Sequence, residues 1–143
     1  AFPRLMDMEN EPFLITSTIN IVIGQRLVRR ICPNCRVGIK ITHTEFESLF
    51  SSLTLNILKA NREFYRGKGC EQCNQSGYYG RLGIYEVLEI DDNIREAIMQ
   101  RKNSSIIKNI ATKNGMTVML EDGFRKAIEG KTTIEEILRV IHE

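Results

Sequence analysis

The spacing of apolar and polar positions divides the chain into a mixed first part and a helical second part. Residues 2 to 9 suggest a short helix that stops before Glu11-Pro12. "PFLITSTINIVIG", from Pro12 to Gly24, is the most apolar run and predicts a second, buried helix. In "QRLVRRI", Leu27, Arg29 and Ile31 alternate with Val28 and Arg30, which predicts a strand running directly into Cys32. Thr44 and Glu47 then form a capping box ahead of Phe46, Leu49, Phe50 and Leu53, which share one helical face. "TLNILKAN" extends this with a turn or short helix. "RLGIYEVLEI", residues 81 to 90, is the clearest strand: Leu82, Ile84, Leu88 and Ile90 lie on one face, Tyr85 and Val87 on the other.

From Asp92 onward the period is helical. Ile94, Ala97 and Ile98 make one stripe, and Ile106, Ile107, Ile110 and Ala111 a second, closed by Gly115. Leu120, Phe124, Ala127 and Ile128 make a third, stopped at Gly130. Thr132 and Glu135 read as a capping box for a last helix that turns Ile134, Ile137, Leu138 and Ile141 inward. Each helix is marginal alone, so the four are expected to pack on one another.

Composition narrows the class. At 143 residues, 42% hydrophobic and 27% charged, the chain reads as a soluble globular protein of one domain or two small ones. A net charge of +2 is too small to argue for nucleic acid or an anionic membrane surface. The Pro12–Gly24 run falls short of the ~20 residues of a transmembrane helix and contains Thr16, Ser17, Thr18 and Asn20. Acidic residues precede it where a signal peptide would be positive. "AFPRLMDMEN" has no initiator methionine and opens inside an amphipathic pattern, which reads as a piece of a longer protein.

The chemistry lies in four cysteines. Cys32 and Cys35, then Cys70 and Cys73, form two CxxC pairs with 34 residues between them. In a reducing compartment this spacing reads as a metal site before it reads as disulfides. Two facing CxxC turns present four thiolates to one tetrahedral zinc ion. Pro33 shapes the first turn, and Gly69 and Gly77 loosen the second. Arg29, Arg30, Arg36 and Lys68 are near enough in sequence to offset the negative charge of such a centre. With no fifth ligand nearby, the site is structural. Thiol redox chemistry and simple buried thiols compete with this reading, but no thioredoxin-like pattern surrounds either pair.

Other motifs carry less. Gly130-Lys131-Thr132-Thr133 resembles the end of a phosphate-binding loop, yet Arg125 stands where its first glycine belongs. A helix stop followed by a capped helix start accounts for it. His43 and His142 are isolated, and no nucleophile–base arrangement or carboxylate pair is visible, so no catalytic residue is assigned.

Three segments together are more specific: "EPFLITSTINIVIGQRLVRRICPNC", "GKGCEQCNQSGYYGRLGIYEVLEI" and "EDGFRKAIEGKTTIEEILRV". In this order they resemble the C-terminal part of the type II secretion and type IV pilus assembly ATPases (GspE/PilB-like). The resemblance covers nearly the whole chain and is weakest over residues 37 to 62. It implies an α+β fragment. Residues 1–31 would end a RecA-like ATPase core, 32–80 form a zinc-binding insertion, 81–91 a returning core strand, and 92–143 a C-terminal helical bundle. The family's Walker and histidine boxes lie upstream, so no catalytic or nucleotide-binding residue is placed here. The piece is expected to be inactive alone, while the parent hydrolyses ATP with Mg2+.

The resemblance assigns Cys32, Cys35, Cys70 and Cys73 to structural zinc. It marks Gln25, Arg26, Arg81 and Glu86 as motif positions without a role. Arg26 or Arg81 would approach nucleotide or a neighbouring subunit, or form a structural ion pair. The implied partners are neighbouring subunits of a homohexamer and inner-membrane platform proteins, with no nucleic acid. The implied location is cytoplasmic, peripheral to the inner membrane through those partners. The zinc arm would couple ATP hydrolysis to the platform. Two other readings stand beside this one. A zinc ribbon could stack bases on Phe64, Tyr65, Tyr78 and Tyr79, and a thiol-redox or chaperone-like domain would use the second CxxC.

Overall fold

The computed structural model describes residues 2–8, 11–40 and 63–142. Its elements run α1 (Phe2–Asp7), α2 (Pro12–Thr18), β1 (Ile21–Ile31), β2 (Arg36–Lys40), β3 (Glu63–Gly67), a 3-10 turn (Glu71–Cys73), β4 (Tyr78–Glu89), α3 (Asp92–Met99), α4 (Ser104–Lys113), α5 (Met119–Ile128) and α6 (Ile134–His142). β1 pairs with β4 and β2 with β3, giving two small two-stranded sheets in a mixed α/β chain. The capping box at Thr44, the helix predicted through Leu53, "TLNILKAN" and His43 fall outside the described residues. No helix among the described residues is long and apolar enough to cross a membrane. The chain forms two compact units, Ala1–Gly24 with Tyr85–Val118, and Gln25–Ile84 with Met119–Glu143.

In the first unit, α3 and α4 pack with α2 around Ile15, Ile90, Ile94, Ala97, Ile98, Ile107 and Ala111. Their starts are chemically marked. Asp91 Oδ1 accepts the Ile94 N–H at 2.8 Å, and Asn103 Oδ1 accepts the Ile106 N–H at 3.0 Å. Arg95 donates to the Thr16 carbonyl at the end of α2.

The helix expected from Pro12 to Gly24 is corrected here. It stops at Thr18, Ile19 turns extended, and Ile21–Gly24 enter β1. Ile21, Val22 and Ile23 are β-branched, and strand pairing satisfies their backbone at lower conformational cost than a helix would. Nor is α2 wholly buried: Pro12, Ile15 and Thr16 face the core, while Phe13 and Leu14 are 65% and 53% exposed.

The second unit holds both cysteine pairs. β2 and β3 are antiparallel, with Val37 opposite Arg66 and Ile39 opposite Phe64. The sequence reading placed neither strand. Phe64 is buried against Phe124, Ala127, Ile134 and Ile137, with Ile39 at the margin. Removing such a ring from water is worth ~2–3 kcal/mol, so apolar packing holds the segment that carries the cysteines. Val28, Ile84 and Val140 form a smaller cluster that joins β1 and β4 to α6. The four C-terminal helices therefore do not share one core as expected. α3 and α4 bury their stripes in the first unit, and α5 and α6 bury theirs on β3 in the second.

The start of α6 also differs from expectation by one residue. The Glu136 N–H donates to Thr133 Oγ1 at 3.3 Å, so Thr133 caps the helix. Thr132 Oγ1 instead donates to the Arg29 carbonyl at 2.8 Å. The shift frees Glu136 to turn inward, where only 2% of it is exposed. Its carboxylate accepts from the Arg29 N–H at 3.0 Å, from Arg29 Nη2 at 2.5 Å and from Arg139 Nε at 3.1 Å. Arg29 also stacks over Tyr78, 4.2 Å from the ring centroid, and Tyr78 Oη meets Thr133 Oγ1 at 3.0 Å.

Burial alone would raise the Glu136 pKa, but the arginines and the Arg29 N–H outweigh it and hold the carboxyl at about 2. Because the folded pKa is depressed, this stabilisation is complete above the ordinary value of 4.5 and is lost as pH falls toward about 2. Arg29→Met leaves the buried carboxylate short of a partner and should cost about 3 kcal/mol at pH 7. Denaturant titration of both proteins should show that gap closing between about pH 4.5 and 2. A gap independent of pH would assign the loss to packing.

Candidate metal centre

The first CxxC turn continues directly from β1 and feeds β2, so Cys32 and Cys35 sit at the junction of two strands. The second lies in the 3-10 turn before β4. There the Cys70 carbonyl accepts the N–H groups of Cys73 at 3.2 Å and Gln75 at 2.9 Å. Asn74 and Gln75 take positive φ of 49° and 61° to close the turn. The two turns are laced together by backbone. Cys32 N–H donates to the Gly77 carbonyl at 2.9 Å, and Lys68 N–H donates to the Cys35 carbonyl at 3.0 Å.

One close approach allows this lacing. A Cβ on Gly67 would lie 2.0 Å from the Gly77 carbonyl oxygen, and one on Gly77 would lie 2.7 Å from that of Gly67. Gly77 also holds φ at +75°, which L side chains rarely adopt. Here β3 and the second turn touch through bare backbone.

The result is a cluster of four sulfurs, all within 4.8 Å of one another. Cys32 and Cys70 are 3.8 Å apart, Cys35 and Cys73 3.9 Å, and Cys70 and Cys73 3.7 Å. A tetrahedron with Zn–S arms of ~2.3 Å has edges of ~3.8 Å. Disulfide sulfurs would stand ~2.05 Å apart, and all four cysteines are free thiols. The four side chains are positioned to hold a metal ion and fill every position of a tetrahedral shell. They leave none for a reacting water, so a metal held here supplies folding energy and not Lewis-acid chemistry.

The thiols are not equivalent. The Asn34 amide, followed by the Cys73 backbone, brings Cys70 down to about 6. Burial pushes Cys35 up to about 11. Burial also raises Cys73, but the N–H groups of Cys70 and Gly77, each 3.3 Å from its sulfur, leave it lowered.

The expected counter-charges are placed elsewhere. Arg29 is bound to Glu136, while Arg36 donates to the Gly130 carbonyl at 3.3 Å and lies 5.3 Å from the Tyr65 ring centroid. Arg30 and Lys68 are exposed. Uncharged N–H donors face the sulfurs instead. The arginine stacking also occupies one face each of Tyr65 and Tyr78 within the chain.

Of the other motif positions, Arg26 and Arg81 line one cavity of about 300 Å³ together with Leu27, Arg29, Arg139 and Val140. Glu86 lines a different cavity of about 350 Å³, beside Val22, Leu88 and Ile107. Gln25 is exposed on β1. The sequence reading missed Glu136, Gly67 and Asn34. Glu136 carried a faint signal, since it follows Thr133 by the three residues of a capping box. Gly67 and Asn34 carried none, because their partners lie far along the chain.

Gly67→Ala should cost about 2–3 kcal/mol by forcing backbone apart. The purified variant should retain less than one metal ion per chain by elemental analysis, with all four thiols open to alkylation. Full metal content in this variant would show that the turns tolerate separation.

The family model described as "Type II/IV secretion system protein" matches residues 1–139. The chain is 43% identical over 138 residues to the type IV pilus assembly ATPase PilB of Thermus thermophilus, covering 96% of this chain and 15% of that protein. It is 38% identical over 143 residues to the type II secretion system protein E of Aeromonas hydrophila, covering 100% of this chain and 27% of that protein. It is 37% identical over 143 residues to the type II secretion system ATPase E of Vibrio cholerae, with the same coverage of 100% and 27%. The chain thus spans 15% to 27% of the length of these relatives. Since the match runs almost end to end and takes in all four cysteines, the chain belongs to the type II/IV secretion system protein family.

Proposed function

We propose that this chain is the C-terminal zinc-binding module of a secretion or pilus-assembly motor ATPase. The observation that carries this reading is a cluster of four sulfurs within 4.8 Å of one another in a chain similar along nearly its whole length to such proteins. Zinc is the ion the donor set favours: four thiolates are soft ligands, and the closed tetrahedral shell suits a redox-inert structural metal. Cys32, Cys35, Cys70 and Cys73 are its ligands. ATP and Mg2+ belong to the parent protein, a hexamer of RecA-like subunits in this reading.

β1 and β4 are then late strands of the RecA-like core, residues 32–80 an insertion, and residues 92–143 the helical end of the subunit. Supporting this, Ile21, Ile23, Leu27, Tyr85 and Val87 of these two strands are 40% to 59% exposed. Apolar strand residues left this open are what a preceding domain would cover. The zinc-held segment is a stiff projection that transmits motion to the inner-membrane platform or to the adjacent subunit.

Charge reversal at the exposed Lys40, Glu63, Arg66 and Lys68 tests this coupling in the full-length protein, with the cysteines intact. Pilus assembly or secretion should fall while ATP hydrolysis persists. If hydrolysis falls in parallel, the segment serves the ATPase cycle and not the coupling.

A further inference from the structure

The charge of the metal centre poses a question that its four ligands do not answer. Four thiolates around a divalent ion sum to −2, yet the nearby arginines are engaged elsewhere. What disperses that charge is a set of N–H donors. Cys73 Sγ accepts from the backbone N–H groups of Cys70 and Gly77, both at 3.3 Å. These donors follow from the turn geometry itself, and no substitution removes them without changing the backbone.

Asn34 is different. Its Nδ2 lies 3.4 Å from Cys70 Sγ. Its side chain donates to a ligand sulfur across the two turns. It sits between Pro33 and Cys35 in the first turn, 36 positions before the sulfur it reaches. One hydrogen bond therefore lowers the electron density on Cys70 and ties the two turns together at the metal. Hydrogen bonds to a charged acceptor are the stronger kind, and outer partners of metal ligands commonly govern affinity.

We propose that Asn34 is a positioning residue of the metal centre, whose amide N–H hydrogen bond to the Cys70 sulfur sets how tightly the metal is held. The inference rests on the metal reading above. The backbone of the turn does not depend on it, because the Cys32 and Cys35 links to Gly77 and Lys68 are main-chain bonds.

Asn34→Asp keeps the shape but replaces the donor with a negative acceptor, Asn34→Ala removes the group, and Asn34→Gln keeps an amide donor. Zinc affinity is measured on the chain by competition with a chromogenic chelator. Cobalt-substituted protein gives the sulfur-to-metal charge-transfer band. Alanine should weaken zinc binding about tenfold, aspartate more, and glutamine should recover part of the loss. The charge-transfer band should move to lower energy in the alanine and aspartate variants, since an unshielded thiolate is easier to oxidise. A purely structural role for Asn34 would leave that band in place. If both variants bind zinc within twofold of wild type with an unmoved band, the proposal is overturned and the metal reading survives. If the wild-type chain takes up no zinc, both fall together.

Discussion

Four sulfurs within 4.8 Å of one another, three of the pairs 3.7 to 3.9 Å apart, cannot all carry charge unaided. Like charges at such separations repel one another. A divalent cation at the centre reverses the sign of the problem and makes the same crowding favourable. Everything local to the site serves that convergence. The Gly67–Gly77 contact admits it, two main-chain hydrogen bonds align the turns, and N–H groups face the sulfurs. The split of the thiols, Cys70 drawn down and Cys35 pushed up, is what unequal shares of those donors and of burial produce.

β1 links this centre to the rest of its unit. Within four residues it binds Glu136 through Arg29, gives the Ile31 N–H to the Lys131 carbonyl at 2.9 Å, and delivers Cys32. The strand that leads into Cys32 is thus the strand on which α6 is seated. Glu136 is buried because four donors from Arg29 and Arg139 converge on it. An isolated carboxylate there would be neutral, and a buried ion pair this well satisfied favours one arrangement of the helix over others. Phe64 adds the apolar part of the same attachment from the other sheet.

The described residues bring four thiols together and bury a carboxylate among arginine donors. The relatives the chain matches are several times longer. What this chain contributes, in the reading proposed here, is a rigid element through which force is passed. A metal-stapled segment suits that task because its shape does not depend on a large core of its own.

The spacing of the cysteines, the alternation over residues 81 to 90 and the helical stripes after Asp92 were all legible in the sequence. Each is a local code: ligand spacing within a turn, a period of two, a period near 3.6. The meeting of the four cysteines followed from the first of these alone. Tertiary structure decided the rest. It made Ile21–Gly24 a strand, because β4 offered partners that a helix could not use. It moved the cap to Thr133, because Thr132 found the Arg29 carbonyl more than a hundred positions away in sequence. It turned Arg29 from a counter-charge for thiolates into the partner of Glu136, and brought Asn34 to Cys70. These outcomes depend on contacts between residues far apart in the chain, and a pattern read along the sequence carries the local preferences of each residue but not the partner that overrides them.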